Sequence, residues 1–213
     1  MTFRPFALLL AGAYLVAPIA AEAGPWEDLM GEGKPQIWTD PKSRFYLDLP
    51  VGWKAKPNPD YPVVDFWKQH PDYGHTARVS VEMRTLPPNV NTRHFALSHI
   101  NDIKKRAPQF RMIKESRLRV SGVPAVRMHF TFQERNNVAL VNEVTQVILI
   151  VGERAFIITL QTAFGAREIF LEDFKKMVKG FTGRAPGEES RPTPRQRKRV
   201  KSGEMVNPDA VGY

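Results

Sequence analysis

His70 and His75 bracket the segment Pro71-Asp72-Tyr73-Gly74. Two imidazoles and one carboxylate in a turn-rich loop form a donor set that zinc or copper accepts. The spacing matches no established metal motif, and a polar loop with two solvent-facing histidines explains it better. The expectation is therefore no metal and no cofactor. Trp67, His70, Tyr73 and His75 remain as the candidates for contact with a small ligand.

The other histidines offer less. His94 and His99 are five positions apart, so at about 100° per residue they lie roughly 140° apart around a helix and cannot share an ion. His129 occupies a polar position of an alternating segment and reads as a surface or interface residue. Trp53, Tyr61, Trp67 and Tyr73 gather in a proline-rich stretch. Such rings can form a stacking surface for a partner, but more often they plug the end of a sheet, and the plug is expected.

No catalytic residue can be nominated. The chain carries no glycine-rich phosphate loop, no G-x-S-x-G elbow, no H-E-x-x-H and no calcium loop. Ser80, Ser98, Ser116 and Ser121 fall in no nucleophile motif. A hydrolase would need a site assembled only in space.

The most distinctive charge pattern lies near the end. Arg191, Arg195, Arg197, Lys198, Arg199 and Lys201 follow one another without an acid, and Pro192 and Pro194 keep the backbone extended. Anionic lipid head groups or acidic envelope polymers suit such a segment. Nucleic acid ranks last, because the segment has no aromatic residue on which a base could stack.

These residues must be positioned by the elements around them. Phe45, Leu47 and Leu49 alternate with Tyr46 and Asp48, which predicts a half-buried strand, and a short second strand follows at Trp53. Val63 to Trp67 is a third strand. Val79, Val81 and Met83 alternate with charged or polar neighbours in a fourth. Ala96, Ile100, Ile103 and Ala107 then form one stripe of a helix, capped by Asn91 or Thr92 and stopped at Pro108.

Period two returns from Phe110, through Leu118 and Val120, a Ser121-Gly122 turn, and the Val126, Met128, Phe130, Phe132 series. Asn136-Asn137 suits a tight turn. Val144 to Val151 and Ala155 to Ala163 are apolar on both faces, so they belong in the middle of the sheet under cover on both sides. A last helix from Arg167 to Phe181 buries Phe170, Phe174, Met177, Val178 and Phe181. Short links between the later strands predict antiparallel pairing and argue against a doubly wound nucleotide-binding sheet.

The N-terminus reads as a signal peptide. Arg4 precedes an apolar run of about 14 residues, short of the roughly 20 that span a bilayer as a helix, and Ala21-Glu22-Ala23 is a small-x-small cleavage pattern. Residues 1–23 are thus expected to be removed after Ala23, with an uncleaved anchor as the alternative. Residues 24–36 read as a flexible lead-in, 37–182 as the folded domain and 183–213 as a disordered basic tail. The 213-residue chain has no cysteine, which removes disulfides, thiolate metal sites and a lipid-bearing cysteine. Its net charge of +9 favours acidic partners without identifying one.

The opening Phe45-Tyr46-Leu47-Asp48-Leu49-Pro50-Val51-Gly52-Trp53 resembles that of PsbP-like and DcrB-like domains. Gly122-Val123-Pro124-Ala125, Gly152-Glu153-Arg154-Ala155-Phe156 and Phe174 to Phe181 fall where that pattern has its later motifs. The resemblance implies an α+β fold, an antiparallel β-sheet flanked by helices in an α/β/α sandwich. It also implies an accessory or binding protein rather than an enzyme, and it transfers no binding residues.

The expectation is an exported, non-enzymatic accessory or protein-binding domain of the cell envelope, periplasmic or secreted. Its partner would be a protein or an acidic envelope component, with peripheral contact to anionic membrane through the tail. The alternative is a small-ligand or metal-binding carrier using the loop from Trp67 to His75.

Overall fold

In the computed structural model, residues 35–57, 63–134 and 137–188 are described. The leader, most of the lead-in, Tyr61, Asn136 and the basic run from Arg191 to Lys201 lie outside them. Alternation produces strands where it was strongest. Thr76–Thr85 follows Val64–Gln69 through a short turn, and Arg111–Val120, Val123–Glu134, Asn137–Val151 and Arg154–Ala163 form a continuous meander. In chain order the strands are β1 Gln36–Thr39, β2 Phe45–Leu49, β3 Lys54–Pro57, β4 Val64–Gln69, β5 Thr76–Thr85, β6 Arg111–Val120, β7 Val123–Glu134, β8 Asn137–Val151, β9 Arg154–Ala163 and β10 Thr182–Gly183.

The helices are α1 Thr92–Arg106 and α2 Arg167–Gly180. Asn91 caps α1, its Oδ1 accepting from the backbone N–H groups of Arg93 and His94 at 2.9 and 3.3 Å. Lys104, Lys105 and Arg106 occupy the last turn, where they complement the helix dipole. The turn between β6 and β7 has positive φ at both Ser121 (48°) and Gly122 (83°), as a two-residue hairpin turn of the primed type requires.

Seven strands form one antiparallel sheet in the order β3-β4-β5-β9-β8-β7-β6. The strands that are apolar on both faces, β8 and β9, lie inside it. On one face α1 packs over β7 and β8, enclosing Ala96, Ile100, Val126, Met128, Phe130, Val144, Ile148 and Ile157. On the other face α2 and a small sheet provide the cover, so the layers are those of an α/β/α sandwich.

That small sheet is a departure from the expected single sheet. It has three strands in the order β1-β2-β10, and β2 belongs to it rather than to the large sheet. Phe45 on β2 packs its ring on Phe156 at 5.9 Å and on Phe181 at 5.5 Å, while Trp38 on β1 meets Phe66 edge-on at 5.3 Å. Burying Phe45, Phe66, Phe156 and Phe181 together stabilises this face by several kcal/mol, since each large apolar side chain contributes about 1.5–3 kcal/mol.

The boundary drawn at residue 183 is also corrected. Gly183 pairs with Phe45 in β10, and the Arg184 N–H donates to the Arg44 carbonyl at 2.8 Å. Arg184 is buried, with its guanidinium 5.7 Å from the centre of the Tyr46 ring, and the Arg184 carbonyl accepts from Arg154 Nη1. Proline and glycine in this stretch mark a break from helix, and the backbone after the break docks instead of leaving the surface.

Candidate functional site

The four ligand-binding candidates of the β4–β5 region do not come together. Trp67 and Lys68 are neighbours on β4, so their side chains leave opposite faces of the sheet. Trp67 is 37% exposed and lies beneath the Arg78 guanidinium, 5.5 Å from its ring centre. Arg78 in turn grips Asp65 with two hydrogen bonds of 2.8 and 2.9 Å. Lys68 points the other way and reaches Asp173 on α2 at 2.7 Å. His70 stands on this second side, its ring 4.7 Å from Tyr73 and edge-on to Phe170 at 6.4 Å. A shared pocket for Trp67 with His70 and Tyr73 is therefore corrected by strand alternation.

The turn itself is closed by its backbone. His70 N donates to the His75 carbonyl at 2.8 Å, Gly74 N to the His70 carbonyl at 3.1 Å, and Asp72 N to His70 Nδ1 at 3.3 Å. The histidine nitrogen nearest the Asp72 carboxylate is thus engaged by a backbone N–H. His75 is exposed. Among the described residues no group of three metal-ligating side chains forms.

The aromatic group divides by role. Trp53 is buried, and its indole N–H donates to Asp173 Oδ2 at 3.0 Å. Lys68 bonds the same carboxylate oxygen and also the Val51 carbonyl. Burial opposes ionisation of Asp173, but the hydrogen bonds from Lys68 and Trp53 outweigh it and hold the carboxyl below its ordinary value. Trp53 is the expected plug; Tyr73 is not, being 64% exposed.

Tyr73 has company that the sequence did not reveal. The β4–β5 turn ends where Gln69 faces Thr76, and β5 lies beside β9. Phe164 follows directly after β9, 67% exposed, with its N–H bonded to the Val141 carbonyl. Leu140, next to Val141 on β8, and Ile169 in the first turn of α2 are also exposed. One end of the large sheet thus presents two wet aromatic rings and two aliphatic side chains contributed by three separated segments. The pairings of β5 and β8 with β9 bring Tyr73 and Leu140 to the end where Phe164 stands, and no local pattern announces it.

His129 is not solvent-facing: its Nε2 meets Glu143 Oε1 at 2.8 Å, and both side chains are largely enclosed. His99 is on the buried face of α1, its ring nearly parallel to Phe95. Burial, with the nearby Arg84 cation second, pushes its pKa down to about 4, so the imidazole is neutral at pH 7. Neither His99 Nε2 nor the buried Gln146 Oε1 has a hydrogen-bond partner among the described residues.

A cleft of about 200 Å³ opens on the α2 side of the sheet, where β7 and β6 continue beyond the helix. Leu118, Val147, Leu171, Phe174 and Val178 form its apolar lining, and Arg119, Arg127, Lys175 and Lys179 surround it. Ser121 and Thr145 add hydroxyls; the first donates to the Phe181 carbonyl and the second accepts from Arg167.

The order of strands and the two covered faces define an α+β sandwich. Comparison with solved structures gives that sandwich its kind: the chain has the PsbP-like fold. Cyanobacterial PsbP (CyanoP) from Synechocystis is 15% identical, with a TM-score of 0.52 over 77% of this chain and 98% of its own. LpqN of Mycobacterium tuberculosis, involved in cell envelope biogenesis, is 16% identical with a TM-score of 0.53 over 75% of this chain and 98% of its own. The Ran-binding protein Mog1p of Saccharomyces cerevisiae is 9% identical with a TM-score of 0.55 over 70% and 95%. No protein-family model and no curated protein sequence matches the chain. Among the described residues no helix is long and apolar enough to cross a membrane.

Proposed function

We propose that this chain is an exported, non-catalytic accessory domain of the cell envelope that docks onto another protein through the aromatic end of its large sheet. The observation that carries this reading is the exposure of Tyr73 and Phe164, 64% and 67%, beside Leu140 and Ile169. Aromatic rings are enriched at the centres of protein interfaces, and contiguous apolar patches are uncommon on surfaces that stay wet. Export is supported by the leader pattern ending at Ala23, and the envelope setting by the fold shared with LpqN. The carrier reading draws less support, because Trp67 faces away from His70 and Tyr73.

Affinity capture from the source cell envelope tests the docking. The mature protein should retain a protein that Tyr73→Ser with Phe164→Ser loses, while both forms melt alike. Equal capture by the two forms ends this assignment. The mass of the purified protein tests export, since an N-terminus at Met1 contradicts cleavage after Ala23.

A further inference from the structure

The cleft between α2 and strands β6 to β8 is independent of the aromatic end, and its charge pattern is unusual. Arg119, Arg127, Lys175 and Lys179 line it and no carboxylate does. Lys175 is held by Glu172, but the others have only neutral partners or none in the described structure. Arg127 donates to the Ser116 hydroxyl, Arg119 to the Gly122 carbonyl, and Lys179 stands in the last turn of α2. Elsewhere on this domain arginines close on acids, as Arg44 does on Asp40 and Arg78 on Asp65. Arg119, Arg127 and Lys179, sharing one cleft with no acid bonded to them in the described structure, raise its positive potential, which an anion relieves.

The floor beneath them is apolar. Leu171, Phe174 and Val178 lie one helical turn apart on α2, and Val147 and Leu118 face them from the sheet. At about 200 Å³ the space is smaller than the roughly 300–1,000 Å³ of drug-sized pockets, so it suits a narrow chain and not a fused ring system. Arg127, half-buried, is a cation of the lining that rises from the sheet itself, and Lys179 stands exposed across from it on α2.

We infer that this cleft binds a small amphipathic anion, a single alkyl chain ending in a carboxylate. The chain lies along Leu118, Val147, Phe174 and Val178, and the carboxylate meets Arg127 and Lys179. Neither end alone suffices: inorganic phosphate lacks the apolar contact, and a neutral alcohol of equal length lacks the charge.

Sodium decanoate, kept below its micelle concentration, is the probe, titrated into the mature full-length protein and followed by amide chemical shifts. Saturable shifts confined to residues around 118–121, 127, 145–147 and 171–179 are expected. Arg127→Gln with Lys179→Gln should weaken binding by roughly tenfold for each charge-assisted hydrogen bond removed, with the melting temperature unchanged. Should that variant melt early, Lys179→Gln alone, at an exposed position, carries the comparison. Decanol binding as tightly as decanoate, phosphate producing the same shifts, or a charge-neutral variant binding undiminished would each overturn the assignment.

Discussion

Trp53 and Asp173 stand 120 positions apart in the chain, yet the indole N–H of one donates to the carboxylate of the other at 3.0 Å. The bond fastens the β2–β3 connection to the middle of α2, and Lys68 joins it on the same oxygen. Asp173→Ala leaves a buried indole donor without its acceptor and the Lys68 ammonium without its counter-charge. It should cost about 1–3 kcal/mol, read as a lowered midpoint in urea unfolding. Because the folded carboxyl titrates below its ordinary value of 3.8, its contribution is complete above that pH and is lost on further acidification.

His99 governs a higher pH window. Its imidazole titrates near 4 in the folded protein against 6.5 when exposed, so the unfolded chain binds the extra proton between those values. Stability should therefore fall as pH drops from 6.5 towards 4, by up to about 3 kcal/mol, and then level off for this group. His99→Phe removes the titrating group, and chemical unfolding at pH 7 and pH 4.5 should show its acid loss reduced relative to the parent. An identical loss in both proteins would place the acid sensitivity elsewhere.

Gly183 touches the Phe156 ring so closely that an added Cβ would lie 2.6 Å from a ring carbon. Gly183→Ala should destabilise by about 1–3 kcal/mol, the usual cost of overpacking. A thermal shift separates this from a free tail, where the same change is neutral.

Two truncations divide the C-terminal segment. Removing residues 189–213 should leave the melting temperature unchanged, whereas removing 184–213 also deletes the Arg184 contacts to Arg44 and Arg154 and should lower it. The first truncation also removes Arg191, Arg195, Arg197, Lys198, Arg199 and Lys201. Retention on anionic vesicles at low salt should drop with it, by about 1 kcal/mol per cation near the surface. Undiminished retention assigns those charges no membrane role.

Phe45→Ala tests the small sheet. The ring contacts Phe156, Phe181 and Trp38, so its removal should cost about 3–5 kcal/mol in equilibrium unfolding.

Much of this architecture was legible in the chain because its elements are long and periodic. The α1 stripe at Ala96, Ile100 and Ala107, the α2 stripe from Phe170 to Phe181, and the interior position of β8 and β9 follow from burial on one or both faces. The short pieces were not legible. Gln36–Thr39 is too brief to show a period, and Thr182–Gly183 is a strand only because Phe45 and Tyr46 offer it a partner. Trp67 and His70 are close in sequence, yet their side chains lie on opposite faces of the sheet. Tyr73 and Phe164, like Arg127 and Lys179, share a surface through pairings that no local pattern encodes.

The third strand of the small sheet, β10, comes from nearly the last described residues and closes β2, which comes from nearly the first. One edge of Phe45–Leu49 stays open until Thr182 is available. Closure of the small sheet thus waits for Thr182 and Gly183, so a chain emerging from its N-terminus completes its other strand pairings before β2 gains its second neighbour.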